Sequence, residues 1–300
     1  MEHVVCNLCG ADNAAPHCKV GQFQVVRCNE CGLFYTNPRR SAHESAKVYS
    51  EKYFMSDNPS TLGYEDYSVH AEGLKQVFAD NLSIIETCVR PPASIIDVGC
   101  AFGYFVQLAS SRGWKAEGVE ISEFAAQMAR EKTGATIYTG ALADARLHSR
   151  SYAAATMWDM LEHSCDPAAE LGEMGRILKP GGYLFMTIPD AGSLPARLMG
   201  SRWYGFKSAA EHNFFFSKET LGRMLSRKGF GLVEFRRGVW PCSMKFMSSK
   251  LAPYSPTASR LADKLVRRLG MEGAIVKFKF IDMFVIAKKN DNPSRESSRP

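Results

Sequence analysis

Nowhere in this 300-residue chain do 18 apolar residues run consecutively, so a membrane-spanning helix is not expected. The amino terminus lacks a basic-then-apolar export signal, and a cytoplasmic protein is expected. Internal repeats are missing, and low complexity is confined to a polar tail, residues 291–300, whose composition predicts disorder. The amino-terminal end also lacks any excess of positive charge. Over residues 1–45, Lys19, Arg27, Arg39 and Arg40 are balanced by Glu2, Asp12, Glu30 and Glu44. A finger that grips nucleic acid needs a basic face to meet phosphates, and none is evident here.

The chain does have ample apolar material, 45% hydrophobic residues, enough to bury one main domain with attachments. It also has nine cysteines, more than a reducing compartment would hold as disulfides. Four of them fall into Cys6-x-x-Cys9, 18 intervening residues, then Cys28-x-x-Cys31, the spacing of a four-thiolate zinc site. Gly10 and Gly32 follow the second cysteine of each pair, where a tight turn helps. A site with four protein ligands has no open position, so the zinc is expected to be structural. Cys18 reads as a bystander, and Cys88, Cys100, Cys165 and Cys242 as small apolar residues.

The segment IIDVGCAFGYF (residues 95–105) is a short apolar strand ending in an acid and a glycine turn that opens into a helix. Glycine lets a backbone approach a ligand closely, so Asp97, Gly99 and Gly103 mark a place for a nucleotide-like molecule. The following strand, KAEGVEIS, places Glu120 23 residues beyond Asp97, the spacing at which an acid meets ribose hydroxyls. The turn resembles the D/E-x-G-x-G-x-G motif of class I S-adenosylmethionine-dependent methyltransferases, with Ala101 in place of the middle glycine. Ala101 is expected to be tolerated by keeping a negative φ. A dinucleotide-binding G-x-G-x-x-G pattern is not supplied.

The resemblance continues in order. YAAATMWDMLEHSCDP (residues 152–167) looks like the family's fourth strand and D-x-x-E-H-x-x-D-P loop, carried by Asp159, Glu162, His163, Asp166 and Pro167; residues 168–190 look like its next helix, L-K-P-G-G turn and fifth strand. Independently, apolar residues three or four apart over 171–178 predict a helix on a sheet, stopped by Lys179-Pro180-Gly181-Gly182. The predicted fold is α/β, a doubly wound, mainly parallel seven-stranded sheet of the Rossmann-like methyltransferase type, with a small zinc ribbon ahead of it. The expected division is a ribbon over 1–45, a helical cap over 46–92 with Tyr53, Tyr64 and Tyr67 as pocket candidates, and the methyltransferase domain over 93–290. KFKFIDMFVIAKK (277–289) reads as the last strand.

The resemblance implies S-adenosylmethionine as cofactor, with Asp97, Gly99, Ala101 and Gly103 at the turn, Glu120 on the ribose and Asp159 near the methionine amino group or the acceptor. Methyl transfer to a hydroxyl asks for one base. His212, in AEHNFFFSKETL, and His163 are the candidates, while Ser217 reads as a helix N-cap. Arg197, Arg202, Trp203, Tyr204, Phe206 and Lys207 form an aromatic and basic lid suited to an anionic small molecule, sugar or lipid-linked glycan. Two other readings stay open: an RNA methyltransferase that holds RNA with its ribbon, and a non-catalytic partner-binding homologue. The net charge of +6 is local, because residues 236–289 hold twelve Lys or Arg against three acids, +9, leaving −3 elsewhere. Within this basic insertion (about 241–272), residues 257–269 predict an amphipathic helix capped by Gly270, either a solvated helix or a surface for weak contact with a substrate or an acidic membrane.

Overall fold

The computed structural model describes residues 1–55, 71–252, 255–278 and 282–291. Tyr64, Tyr67 and the tail from residue 292 lie outside the described residues.

Three short strands, β1 (Ala14–Val20), β2 (Phe23–Cys28) and β3 (Phe34–Thr36), form an antiparallel ribbon, followed by helices α1 (Ala42–Val48), α2 (Glu51–Phe54) and α3 (Ala71–Cys88). The alternating region predicted from residue 95 onward then begins. It comprises β4 (Ser94–Val98), α4 (Tyr104–Ser111), β5 (Lys115–Glu120), α5 (Glu123–Thr133), β6 (Ile137–Thr139), β7 (Tyr152–Trp158), α6 (Pro167–Ile177) and β8 (Leu178–Pro189). After β8 come α7 (Leu194–Met199), α8 (Tyr204–Lys207), β9 (Phe214–Phe215), α9 (Lys218–Arg227) and β10 (Phe230–Arg237). An excursion of β11 (Trp240–Ser243), α10 (Met244–Lys250), α11 (Pro256–Arg268) and β12 (Ile275–Phe278) leads to the closing strand β13 (Asp282–Lys289).

The main sheet has seven strands in the order β10-β13-β8-β7-β4-β5-β6, parallel except for β13. Its strands are apolar on both faces, as a sheet covered by helices on both sides requires. Successive residues point to opposite faces. Ile96, Ala155 and Leu184 join Leu171, Met174 and Ile177 of α6 and Leu221, Met224 and Leu225 of α9 on one side. Ile95, Ala154, Phe185, Phe284 and Ile286 join Phe78, Leu82 and Ile85 of α3 and Phe105 of α4 on the other. The α3 residues recur at i, i+4 and i+7, the stripe of a helix with one buried face. Chain order reverses between β4 and β7, opening the crevice in which doubly wound sheets bind ligands at their carboxyl ends.

Two sequence expectations are adjusted. The segment 277–289 is two elements: Lys277 and Phe278 finish β12, which pairs with β11, and among the described residues of the segment it is Asp282 onward that joins the main sheet. A polar Asp282 at the sheet rim, paired with Pro189, begins the closing strand. The Lys179-to-Gly182 turn does end α6, but it is absorbed into β8 as a register jump opposite Tyr152 and Ala154. The helix expected over 257–269 is present as α11, with Gly270 at φ 65° beyond it, and Ser217 caps α9 by accepting from Thr220 N–H.

The small antiparallel sheet has four strands, not three. β9 pairs with β3, Phe34 opposite Phe215 and Tyr35 opposite Phe214, so a strand from beyond β8 completes the ribbon's sheet. Leu8, Leu33 and Tyr35 of the ribbon share one apolar cluster with Phe214, Leu221 and Leu225. Arg223 and Arg227 of α9 donate to the carbonyls of Cys31 and Leu8, and Asn7 accepts from Ala168 N–H (2.9 Å) while donating to Asp166 (2.9 Å).

Candidate active site and cysteine cluster

The glycine turn is built as a cradle. Gly99 (φ 77°) and Gly103 (φ 73°) sit in the left-handed region open to glycine. Gly99 N–H donates to Val119 O (2.8 Å), fixing the turn to β5. A Cβ on Gly99 would lie 2.8 Å from Met160 Cγ, and one on Gly103 2.8 Å from Thr133 Cγ2 and 3.1 Å from Ala129 Cβ. Ala101 does not keep the negative φ expected of it: it stands at φ 46°. The left-handed region costs an alanine about 1 kcal/mol. The conformation is held by its own N–H, which donates 2.8 Å to Glu120 Oε2.

Glu120 is buried at the end of β5 and also accepts from Ser122 N–H through Oε1 (2.9 Å). With Ile121 N–H also acting on it, the carboxylate keeps acceptor capacity for a ligand hydroxyl. Burial raises its carboxyl, and the backbone donors pull it down. Asp97, at the end of β4, is buried too, and its carboxyl is pushed up to about 7 by burial, against the pull of Thr156, whose hydroxyl donates to it at 2.7 Å.

Across the crevice Asp159 follows β7 at φ 47°, its N–H donating to Thr187 O (3.1 Å). Solvent reaches this side chain, but the protein walls around it raise its carboxyl to about 6 while the Thr187 hydroxyl lowers it. Asp282, hydrogen-bonded to Tyr204, is raised further by burial and by the charge of Asp159. Neither Asp282 nor its pairing with Tyr204 was anticipated.

The loop after β7 brings both candidate histidines together. Glu162 carboxylate, His163 and His212 present atoms within 4.8 Å of one another, and the imidazole rings meet edge to face, 4.6 Å between centroids. Tyr49 OH lies 2.9 Å from His163 Nδ1, and Tyr53 OH donates to Glu211 (3.1 Å). Burial lowers the pKa of His163, outweighing the opposite pull of Glu211, so its ring is neutral at physiological pH. The rest of the ribbon side locks the other strand of the cleft. Thr36 Oγ1 donates to His212 O (2.9 Å), and Asn213 joins the two loops through its N–H to Glu162 O (2.8 Å) and its Nδ2 to His163 O (2.9 Å). Phe23, Arg40, Tyr49, His163 and Glu211 line a small, open depression here. Burial first, and then the negative charges of Glu211, Glu162 and Glu120, hold the Tyr49 phenol well above its usual range. Sequence reasoning missed Tyr49, which sits 114 residues from its partner.

At the other end, Cys6 and Cys31 sulfurs stand 3.4 Å apart and Cys9 and Cys28 sulfurs 3.5 Å, with all four within 4.8 Å. Four sulfurs about 2.3 Å from one tetrahedral ion stand about 3.8 Å apart, so the cluster is compatible with zinc. Gly10 (φ 79°) and Gly32 (φ 77°) return N–H groups to Cys6 O (2.7 Å) and Cys28 O (3.0 Å), the two knuckles that the spacing predicts.

An open α/β sheet with a glycine cradle and acids at three strand ends defines a nucleotide-binding protein of the class I methyltransferase fold. Residues 71–234, more than half of the chain, match the family described as "Methyltransferase domain", and the chain belongs to that family. It is 29% identical over 174 residues to a malonyl-[acyl-carrier protein] O-methyltransferase of Pseudescherichia vulneris, covering 54% of this chain and 63% of that one. It is 31% identical over 99 residues to a ubiquinone biosynthesis O-methyltransferase of Thiobacillus denitrificans, 31% of this chain and 43% of that one. The chain spans about half the length of the curated relatives it matches. The crystal structure of a putative methyltransferase from Bacillus halodurans superposes with a TM-score of 0.54 at 14% identity over 71% of this chain and 99% of that one, a likeness of fold. No helix among the described residues is long and apolar enough to cross a membrane.

Proposed function

We propose that the protein is an S-adenosylmethionine-dependent O-methyltransferase acting on a small molecule, sugar or lipid-linked glycan, with His212 as the base. The observation that carries this reading is the pairing of His163 with His212, rings edge to face at 4.6 Å, where the loop after β7 meets the segment ahead of β9. The two relatives named above are O-methyltransferases, which favours oxygen as the acceptor atom.

The residues fit the cofactor. Glu120 offers lone pairs to ribose hydroxyls, Gly99 and Gly103 let the turn pack tightly at the strand ends, and Asp97 and Asp159 supply negative charge for an ammonium group. Bound S-adenosylmethionine supplies a methyl group already electrophilic at its sulfonium. What remains for the chain is alignment and removal of one proton. His212, fixed through its carbonyl by Thr36, takes the acceptor's hydroxyl proton. His163, held through Nδ1 by Tyr49, buttresses the His212 ring edge to face. Arg40, on the ribbon side of the same cleft, gives an anionic group of the acceptor its partner. Cys6, Cys9, Cys28 and Cys31 hold a structural zinc ion.

Calorimetric titration with S-adenosylmethionine and S-adenosylhomocysteine tests the cofactor reading. Micromolar binding is expected, weakened in Glu120→Ala by about 1–3 kcal/mol as its hydrogen bonds to the ligand are lost. His212→Ala should keep that affinity and lose methyl transfer to whichever phosphorylated sugar or lipid-linked glycan the wild type accepts. Binding of neither ligand, or turnover that survives His212→Ala, refutes the corresponding half.

A further inference from the structure

The helix α11 turns its apolar stripe away from the protein. Leu261, Leu265 and Leu269 are 63%, 57% and 59% exposed, whereas Val266, about 100° round the helix from Leu265, is buried and Ser259 ties the helix to Ser248 O of α10 (2.7 Å). Spaced four apart, the three leucines drift only about 40° per step and form one outward ridge. Lys264 and Arg268 lie on one shoulder of that ridge, with Arg260 and Arg267 beyond them; all four are exposed. Asp263 is the helix's acid, and Arg267 neutralises it at 2.9 Å. Exposed Leu251 and Met271 flank the ridge at the two ends of the helix.

An exposed leucine row costs solvation unless it is covered, and its basic shoulder says by what. We infer that α11 docks on an anionic lipid surface, its leucines entering the headgroup boundary while Lys264, Arg268 and Arg260 meet lipid phosphates. Charge complementarity supports this occupant, because residues 236–289 carry +9 whereas the rest of the chain is net negative. The helix is 13 residues long, about 20 Å, and is suited to reversible attachment in the plane of the surface. The excursion that carries α11 leaves β10 at Arg237 and returns at Asp282 opposite Pro189. The inference stands apart from the proposed catalytic chemistry, since it concerns binding alone.

The test is flotation of the whole 300-residue chain, prepared with zinc, with vesicles of phosphatidylcholine alone and of phosphatidylcholine mixed with phosphatidylglycerol. Binding to the mixed vesicles, its loss at high salt, and little binding to neutral ones are expected. The triple change Leu261→Gln, Leu265→Gln, Leu269→Gln should lower the partition coefficient about tenfold or more, while thermal melting stays at the wild-type value because these side chains touch no core. Lys264→Glu with Arg268→Glu should do likewise. Absence of binding to the mixed vesicles overturns the inference, as does binding that the glutamine variant retains. So does a concentration-dependent dimer that the glutamine variant abolishes, which would give the ridge to a second copy of the chain.

Discussion

Gly103→Ala separates two costs that the glycine cradle combines. The first is conformational: at φ 73° an alanine pays the left-handed penalty, about 1 kcal/mol. The second is steric. The new Cβ would sit 2.8 Å from Thr133 Cγ2 and 3.1 Å from Ala129 Cβ, both on α5, so α4 and α5 must separate or Thr133 must leave its rotamer. Neither yields easily, for Thr133 Oγ1 donates to Ala129 O (2.7 Å) and accepts from Ala135 N–H (3.0 Å). Overpacking of this kind costs about 1–3 kcal/mol, and the sum for Gly103→Ala is about 2–4 kcal/mol. Gly134→Ala is the matched control. Gly134 has φ 63° and nothing within 4 Å of a Cβ, so only the first cost applies, about 1 kcal/mol.

Urea unfolding of the zinc-loaded protein measures both, read as midpoint shifts at constant slope. Thr133→Ser removes Cγ2 but keeps the hydroxyl and its two hydrogen bonds. Added to Gly103→Ala, it should restore about 1 kcal/mol or more of the loss, a coupling absent when Thr133→Ser is combined with Gly134→Ala. Equal costs for the two alanines, or no rescue by Thr133→Ser, would refute the view that close packing of α4 on α5 fixes this turn.

The state of Asp97 predicts a pH dependence. Its pKa rises from 3.8 to about 7 on folding, so the folded chain holds a proton that the unfolded chain has released, and this group's contribution to stability is present below about 4 and lost as pH rises towards 7. A cationic ligand needs the ionised carboxylate, so affinity for S-adenosylmethionine should rise between pH 6 and pH 8, and Asp97→Asn should bind weakly with a flat profile about this range; a wild-type profile that is flat contradicts the assignment. Cys28→Ser should lower the zinc content from about one ion per chain to none and loosen the ribbon. Elemental analysis of purified protein decides this, and unchanged zinc would remove Cys28 from the site.

How far the sequence could be read depended on how local each feature was. Asp97, Gly99, Gly103, the helix cap at Ser217 and the two cysteine knuckles are specified within a few residues, and each lies in the conformation its spacing required. The left-handed Ala101 was misread because its partner, Glu120, lies on a different strand. The closing strand was overextended at its start because apolar alternation runs through residues 277–289 without showing that two different sheets share it. The Tyr49–His163 contact and the Asp159–Asp282–Tyr204 group each join elements far apart in sequence. No local pattern could announce them.

The ribbon is best understood through what it holds. β9 is only two residues long, too short to stand without β3, and the residue just before it is Asn213, which ties the His163 loop to the His212 segment. Thr36, at the end of β3, holds His212 through its carbonyl, and Arg40 donates to Ala210 O two residues earlier. The position of His212 is therefore set by the ribbon's sheet more than by the main sheet, to which no hydrogen-bonded strand of residues 208–216 belongs. Cys28 ends β2 and Cys31 precedes β3, so an ion held by the four cysteines, as proposed above, would act at one remove on the proposed base. A closed four-thiolate metal site of the proposed kind would do so without an open coordination position of its own.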